Sequence, residues 1–268
     1  MGAMFSTTQP SKPKRRWCRF SLKTLLIVVT VATVAFGIWV QYRRQRAMEN
    51  RERVAAVRDA VAAIEELGGT VDREYEELRP RTWLEEQFDD PGDANDPVGL
   101  LTIWRVNLNV SNLTDDDMEH LKGMSELDTL YVGPYIGNTV DVTHVTDAGL
   151  VHLKGLTKLE TLYLNGTSIT DAGLVHLKGL TKIKDLNLRF TYVTESGLKH
   201  LKGLMELETL WLGGFGGCEV TDAGLEHLKG LTKLKDLRLY NSKVTDEGVK
   251  RLQQALPNCT IHRFVIVG

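Results

Sequence analysis

Five of the seven histidines, His120, His152, His176, His200 and His227, occupy one position of a recurring segment. Imidazoles at a fixed interval have the make-up of a metal site. Zinc, however, holds its nitrogen and sulfur ligands about 2 Å away, while packed helices lie about 8–10 Å apart. At most two rungs could share an ion, and no acid or cysteine recurs beside them to complete its shell. The ladder therefore reads as a consensus residue on a helix surface, with no metal. The three cysteines, Cys18, Cys218 and Cys259, fit neither a zinc site nor a disulfide framework. Cys259, in Leu-Pro-Asn-Cys-Thr-Ile, stands in the register of buried leucines such as Leu234 and reads as packing. Cys218 reads as a loop thiol with no positioned base. No nucleophile elbow, P-loop, dinucleotide fingerprint or H-E-x-x-H pair occurs. Nothing argues for an enzyme, and no cofactor is implied.

Charge is divided unevenly along the 268 residues. Residues 1–46 carry nine Lys or Arg and no acid, and the remaining 24 basic and 35 acidic residues leave the body at −11. A body of that sign repels phosphate backbones, which excludes nucleic acid as a partner. Within the basic tail, residues 24–40 (TLLIVVTVATVAFGIWV) contain no charge and no proline. As a helix this run covers roughly 25 Å, and its flanks carry it past the ~30 Å hydrocarbon core. Trp17, Trp39 and Tyr42 lie where interfacial aromatics belong. We expect a basic cytoplasmic tail over 1–23 and a single transmembrane helix from Thr24 to Tyr42 in contact with the lipid bilayer. A cleaved signal peptide is the alternative, although no small-x-small site precedes Arg43. Six basic residues flank the run on each side, Lys12, Lys14, Arg15, Arg16, Arg19 and Lys23 against Arg43, Arg44, Arg46, Arg51, Arg53 and Arg58. That tie leaves the acid-free N-terminal flank to favour an inside N-terminus and an extracytoplasmic body.

Residues 43–69 follow as a juxtamembrane helix, with Val54, Val57, Val61 and Ile64 on one stripe and Gly68-Gly69 as the stop. Two heptads are short for a dimerising coiled coil, so a cap on the following domain is the expected role. Residues 70–99 are acidic and turn-rich and read as a cap or linker, with a short packing helix around Trp83, Leu84 and Phe88.

From residue 100 to 268 the chain repeats itself. A Thr-Asp or Thr-Glu pair begins at Thr114, Thr146, Thr170, Thr194, Thr221 and Thr245, a period of 24 residues broken by insertions of eight and three. Leucine triplets such as Leu159/Leu162/Leu164 and Ile183/Leu186/Leu188 mark strands, with Ile103/Val106/Leu108 as a divergent first copy and a terminal strand near Ile261. In each unit Leu-x-Leu sends two side chains inward. Thr then caps a helix, Asp meets its dipole, and a glycine such as Gly179 ends it at C′. Lysines such as Lys178 sit at the negative helix end. One unit cannot bury its own leucines, so stacking must supply the core.

These units resemble the leucine-rich-repeat family, and the Thr-Asp-Ala-Gly-Leu helix start is most similar to its ribonuclease-inhibitor-like branch. The basic tail and single apolar helix make the whole resemble bacterial membrane-anchored members. The resemblance implies an α/β leucine-rich-repeat solenoid, a horseshoe of 24-residue period with parallel strands inside and short helices outside. It also implies that a protein, peptide or glycan is bound on the concave face. The competing readings are an envelope spacer without a ligand, or a substrate-receptor or regulatory subunit of an enzyme complex.

Function should lie where the copies differ. The outward position between the two core residues holds Asn107, Tyr131, Tyr163, Asn187, Trp211 and Arg238, and the next row holds Asn109, Gly133, Asn165, Arg189, Gly213 and Tyr240. Exposed Tyr, Trp and Arg carry binding energy in interfaces, although aromatics also suit a sheet surface for its own sake. Tyr131, Tyr163, Asn187, Arg189, Trp211, Arg238 and Tyr240 are the expected ligand-binding residues. The insertions Gly133–Asp141 and Gly213–Glu219 should emerge on one rim beside them.

Overall fold

Helix-forming residues continue without a proline from the apolar run into the Arg- and Ala-rich stretch after it, and they fold as one helix. The computed structural model describes residues 22–75, 101–110, 112–133, 143–214 and 220–264. In it α1 runs unbroken over Leu22–Glu66, 45 residues. The two separate helices expected over 24–42 and 43–69 are therefore one, because nothing between them breaks the backbone ladder. Gly68, at φ 87°, takes the left-handed turn that ends it, and the Gly69 N–H bonds the Ile64 carbonyl at 2.9 Å.

The chain divides into two units, Met1–Glu49 and Asn50–Gly268. In the first, Leu26, Ile27, Val29, Val31, Val34, Phe36 and Ile38 are all exposed on the helix. The hydroxyls of Thr30 and Thr33 bond back to the carbonyls of Leu26 and Thr30 at 2.8 and 2.9 Å. Among the described residues no helix is long and apolar enough to cross a membrane. Of the expected span Thr24–Tyr42, the side chains at 24, 25 and 28 lie outside the described residues.

The second unit is a stack of strands in chain order. Its sheet comprises β1 (Thr70–Tyr75), β2 (Leu101–Leu108), β3 (Thr129–Val132), β4 (Thr161–Tyr163), β5 (Asp185–Asn187), β6 (Thr209–Gly213), β7 (Asp236–Tyr240) and β8 (Thr260–Phe264). From β2 to β8 the strands are parallel and in register, so that Leu130, Leu162, Leu186, Leu210, Leu237 and Ile261 line up. β1 is a finding the sequence did not announce: it pairs antiparallel with β2, in a segment expected to be cap or linker. Its charged residues, which have the composition of a linker, pair with the neighbouring strand and with the end of α1: Asp72 with Arg105 at 3.4 Å and Arg73 with Glu65 at 3.5 Å. The short helix expected around Trp83, Leu84 and Phe88, the thiol of Cys218 and most of both insertions lie outside the described residues.

The inward leucines form one core from end to end, and Val57, Ala60, Val61 and Ile64 at the end of α1 belong to it. Cys259 is buried there, and burial pushes its thiol up to about 11.

The arms that return from one strand to the next differ from expectation. Among the described residues most are short 3₁₀ turns (Asp117–Leu121, Gly149–Gly155, Gly173–Gly179 and Lys199–Gly203), with α-helix only at Glu195–Leu198, Asp222–Leu225 and Asp246–Ala255. A 3₁₀ turn rises about 2 Å per residue against 1.5 Å for an α-helix, so few residues cover the return. Gly179 is not a left-handed C′ residue: among Gly123, Gly155, Gly179, Gly203 and Gly230 only Gly123 has positive φ.

The aspartate of each Thr-Asp pair does not serve its own helix. Asp147 accepts the Thr170 N–H at 2.8 Å and the Thr170 hydroxyl at 2.6 Å, one repeat further on. Asp115 holds Thr146, Asp171 holds Thr194 and Asp222 holds Thr245 in the same way. The hydroxyls of Thr146, Thr170, Thr194 and Thr245 thus donate to the preceding repeat, as that of Thr221 does to Glu195, whereas that of Thr114 donates to Asp117 in its own turn. Those of Thr146, Thr170, Thr194 and Thr221 also accept the N–H two residues on, at 3.2–3.3 Å. The glycine of Thr-Asp-Ala-Gly makes room for the carboxylate, since a Cβ at Gly173 would lie 2.3 Å from Asp147 Oδ1. The signature is a stitch across the joint between repeats.

Candidate ligand-binding face

Strict register places the outward residues of neighbouring strands side by side in the order Asn107, Tyr131, Tyr163, Asn187, Trp211, Arg238 and His262. Tyr131 and Tyr163 meet edge to face with ring centroids 5.0 Å apart. Tyr163 and Trp211 belong to alternate strands, about 10 Å apart along the sheet, yet their centroids are 5.9 Å apart. The two rings lean together over Asn187 and leave it 3% exposed. Asn187 is therefore corrected from a contact residue to a support beneath the rings, where its side-chain oxygen accepts the Arg189 N–H at 3.0 Å. Burial, and then the charge of Asp185, raises the Tyr163 pKa.

The two arginines differ in state. Arg238 stacks on Trp211 at 4.7 Å and is held by Asp236, with Nη2 to Oδ2 at 2.8 Å and Nε to Oδ2 at 3.0 Å. That hydrogen-bonded carboxylate raises the Arg238 pKa and neutralises the cation expected to be open to a partner. Asp236 stands two residues earlier on the same strand face, which the period-two rule makes visible in retrospect.

Arg189 has a different setting. The residue beside it on the next strand is Gly213, whose carbonyl accepts the Phe190 N–H at 2.9 Å. With no side chain at Gly213, the Arg189 guanidinium crosses to lie 3.6 Å from the centre of the Tyr240 ring, two strands away. It also lies 4.8 Å from the Phe190 ring centre and 6.0 Å from that of Trp211. Gly213 is at φ 92°, and a Cβ there would lie 1.8 Å from the Tyr240 carbonyl oxygen, so only glycine fits the gap. Among the described residues no carboxylate pairs with Arg189. Burial lowers its pKa, and the charge of Arg238 adds to that effect. The Nε of Arg189 and the indole Nε1 of Trp211 are both buried without a hydrogen-bond partner among the described residues.

Three further residues complete the surface. Phe264 stacks on Tyr240 at 4.6 Å, and His262 lies 6.0 Å from Phe264 and 4.0 Å from Asp236. Both follow from the period-two alternation around the inward Ile261. The third is Phe190, at φ 57°. Equivalent turn positions after β4, β6 and β7 hold Gly166, Gly214 and Asn241, all with positive φ. A bulky residue in that region is strained. Comparing these four turns in the sequence would have marked Phe190 as the exception.

Of the outer row, Asn165 is buried and Gly133 and Gly213 present no side chain. On the other side of the molecule the five ladder histidines are half-buried, and burial, then the charges of Lys178 and Lys199, lowers the pKa of His200. Among the described residues no group of three His, Cys, Asp or Glu is placed to hold a metal ion.

No family model matches the chain, and no curated protein matches it. Solved structures do resemble it. An internalin C2 from Listeria monocytogenes is 22% identical over 62% of this chain and 74% of that one, with a TM-score of 0.43. An internalin (inlF) from the same species is 22% identical over 62% of this chain and 48% of that one, also at 0.43. The LRR ectodomain of the receptor kinase SOBIR1 from Arabidopsis thaliana is 13% identical over 79% of this chain and 92% of that one, at 0.36. At these values the likenesses bear on neither ligand nor site, and the repeat architecture stands on this chain's own strand register.

Proposed function

We propose that this chain is a non-catalytic recognition protein, anchored in a membrane by its N-terminal helix, that binds a protein or peptide on the aromatic strip from Tyr131 to Tyr240. The carrying observation is the strip itself. Tyr131, Tyr163, Trp211 and Tyr240 are joined by ring contacts and bridged by Arg238 and Arg189 on one sheet face. Rigid aromatic surface of this kind gives contact area at little cost in side-chain entropy. Asn107 bounds it on one side and Thr129, Thr161 and Thr209 lie in the adjoining row, so the rings stand out from the scaffold that carries them.

Support for the anchor is independent. A run without charge carries apolar side chains exposed on the helix, and its threonine hydroxyls are satisfied by the helix's own carbonyls. Arg43 lies over the Trp39 ring at 4.8 Å and Arg46 over Tyr42 at 5.0 Å, amphipathic pairs suited to a headgroup region. In this reading the repeat unit is extracytoplasmic.

Two measurements test the proposal. Peptides selected from a random display library on the full-length chain should lose binding to the Tyr163→Ala/Trp211→Ala double variant. Peptides that bind both forms equally would move the site elsewhere. Separately, the full chain should stay with membranes through carbonate extraction, whereas a chain lacking residues 1–46 should be released. Recovery of a native protein beginning after residue 40 would instead identify a cleaved signal.

A further inference from the structure

We infer that Arg189 and the indole N–H of Trp211 form a subsite for a carboxylate group carried by the partner, a side chain or a chain terminus. The inference rests on the strip being the ligand surface, and it names the chemistry that one part of that surface selects.

Three observations converge on it. First, two donors have no acceptor among the described residues: Arg189 Nε and Trp211 Nε1 are buried and unpaired, and the guanidinium carbon lies 6.0 Å from the Trp211 ring centre. A buried donor without an acceptor carries a desolvation cost that an incoming oxygen would return. A carboxylate has two acceptor oxygens, one for each group. Second, the charge is open. Arg238 has Asp236 at 2.8 Å, whereas no described carboxylate pairs with Arg189. Third, the protein keeps a strained and emptied backbone here. Gly213 leaves the gap that Arg189 crosses, and Phe190 holds φ 57° with its ring 4.8 Å from the guanidinium. Strain of this kind persists where the surroundings over-determine it, and functional sites are where it gathers.

The face also has a direction. Asp185 and Asp236 lie on the row towards the strand starts, and Arg189 with Tyr240 lies on the row towards the strand ends. An acidic group is repelled by the first row and accepted by the second. The partner's carboxylate is therefore pinned at the strand-end side, with apolar or aromatic residues next to it on Trp211 and Tyr163.

The test uses the full-length chain in detergent micelles with ¹⁵N-labelled tryptophan and arginine side chains, and Trp211→Phe assigns the indole signal. The probes are the blocked tripeptide Gly-Glu-Gly and its neutral isostere Gly-Gln-Gly. The glutamate peptide should move the Trp211 indole resonance saturably and the glutamine peptide should not. Arg189→Gln should weaken the glutamate response at least about tenfold, and Lys178→Gln on the outer face should leave it unchanged. Should Arg189→Gln fail to fold, the Arg189 Nε signal is followed in Trp211→Phe, where the glutamate peptide should bind more weakly than to wild type. Equal responses to the two probes, no response to either, or a glutamate response that survives Arg189→Gln would each overturn the carboxylate subsite. None of those results touches the strip as a peptide surface, which fails only if display-selected peptides ignore Tyr163 and Trp211.

Discussion

At the scale of single residues, pattern and contact part company. The Leu-x-Leu alternation made the inward set legible: Leu162, Leu164, Leu186 and Leu188 are fully buried as a period-two strand requires. The outward set was legible as positions but not as states. Asn187 lies under Tyr163 and Trp211 because two rings from alternate strands close over it, and no spacing rule along one strand reports that. Arg238 carries its own counter-ion in Asp236, whereas Arg189 does not, because the residue on its own strand two positions back is Asn187. Phe190 offers a direct test of whether strain is retained for binding. Phe190→Gly places the residue preferred by the equivalent turns at φ 57° and removes the ring beside Arg189. Relief of the backbone, of order 1–3 kcal/mol, should offset the lost packing. The urea midpoint should stay close to that of wild type while partner affinity falls at least about tenfold. A large loss of stability with unchanged affinity would make Phe190 a packing residue only.

Elements show the same division. The 24-residue period gave strand, turn and return arm in order, but the arms are mainly 3₁₀ turns and the Thr-Asp signature works between repeats rather than within one. The sequence repeats Thr, Asp and Gly faithfully. It does not reveal that the partner of Asp147 is Thr170 rather than its own helix, since both lie at constant spacing. Two glycines of one repeat separate the roles. Gly173→Ala would put a methyl 2.3 Å from Asp147 Oδ1, while a Cβ at Gly179 meets nothing within 4 Å. Denaturant unfolding should show Gly173→Ala destabilised by about 1–3 kcal/mol. Gly179→Ala, with φ outside the left-handed region, should be neutral or stabilising by up to about 1 kcal/mol. Equal effects would dissolve the stitch.

Acid tests the same joint. The Thr245 hydroxyl, and then its amide, lower the Asp222 pKa below the ordinary 3.8. A carboxyl with a lowered folded pKa contributes stability that is present above its unfolded value and is lost as pH falls through the lowered one. Wild type should therefore lose stability on acidification below about pH 4, and Asp222→Asn should lose less over that window. A parallel pH profile for the two would remove Asp222 from the joint.

For the whole molecule, charge partition and the uncharged run pointed to an N-terminal helix attached to an acidic body. One helix of 45 residues replaces the two that were expected, since no glycine pair or proline divides them. The antiparallel β1 was hidden because a strand of alternating charge, Asp72, Arg73 and Glu74, has the composition of a linker. What the body is for depends on one face. Tyr131, Tyr163, Trp211, Arg189 and Tyr240 are brought together there by strands that the sequence set in register, across gaps that only glycine leaves. The decisive measurement is calorimetric titration of a display-selected peptide into the full-length chain and into the Tyr163→Ala/Trp211→Ala double variant, with His176→Ala on the opposite side as control. Loss of at least about 2 kcal/mol of binding energy in the double variant, with His176→Ala at wild-type affinity and all three melting alike, is the predicted result. Wild-type affinity in the double variant would contradict it, and the aromatic strip would then be a feature of the sheet and not a ligand surface.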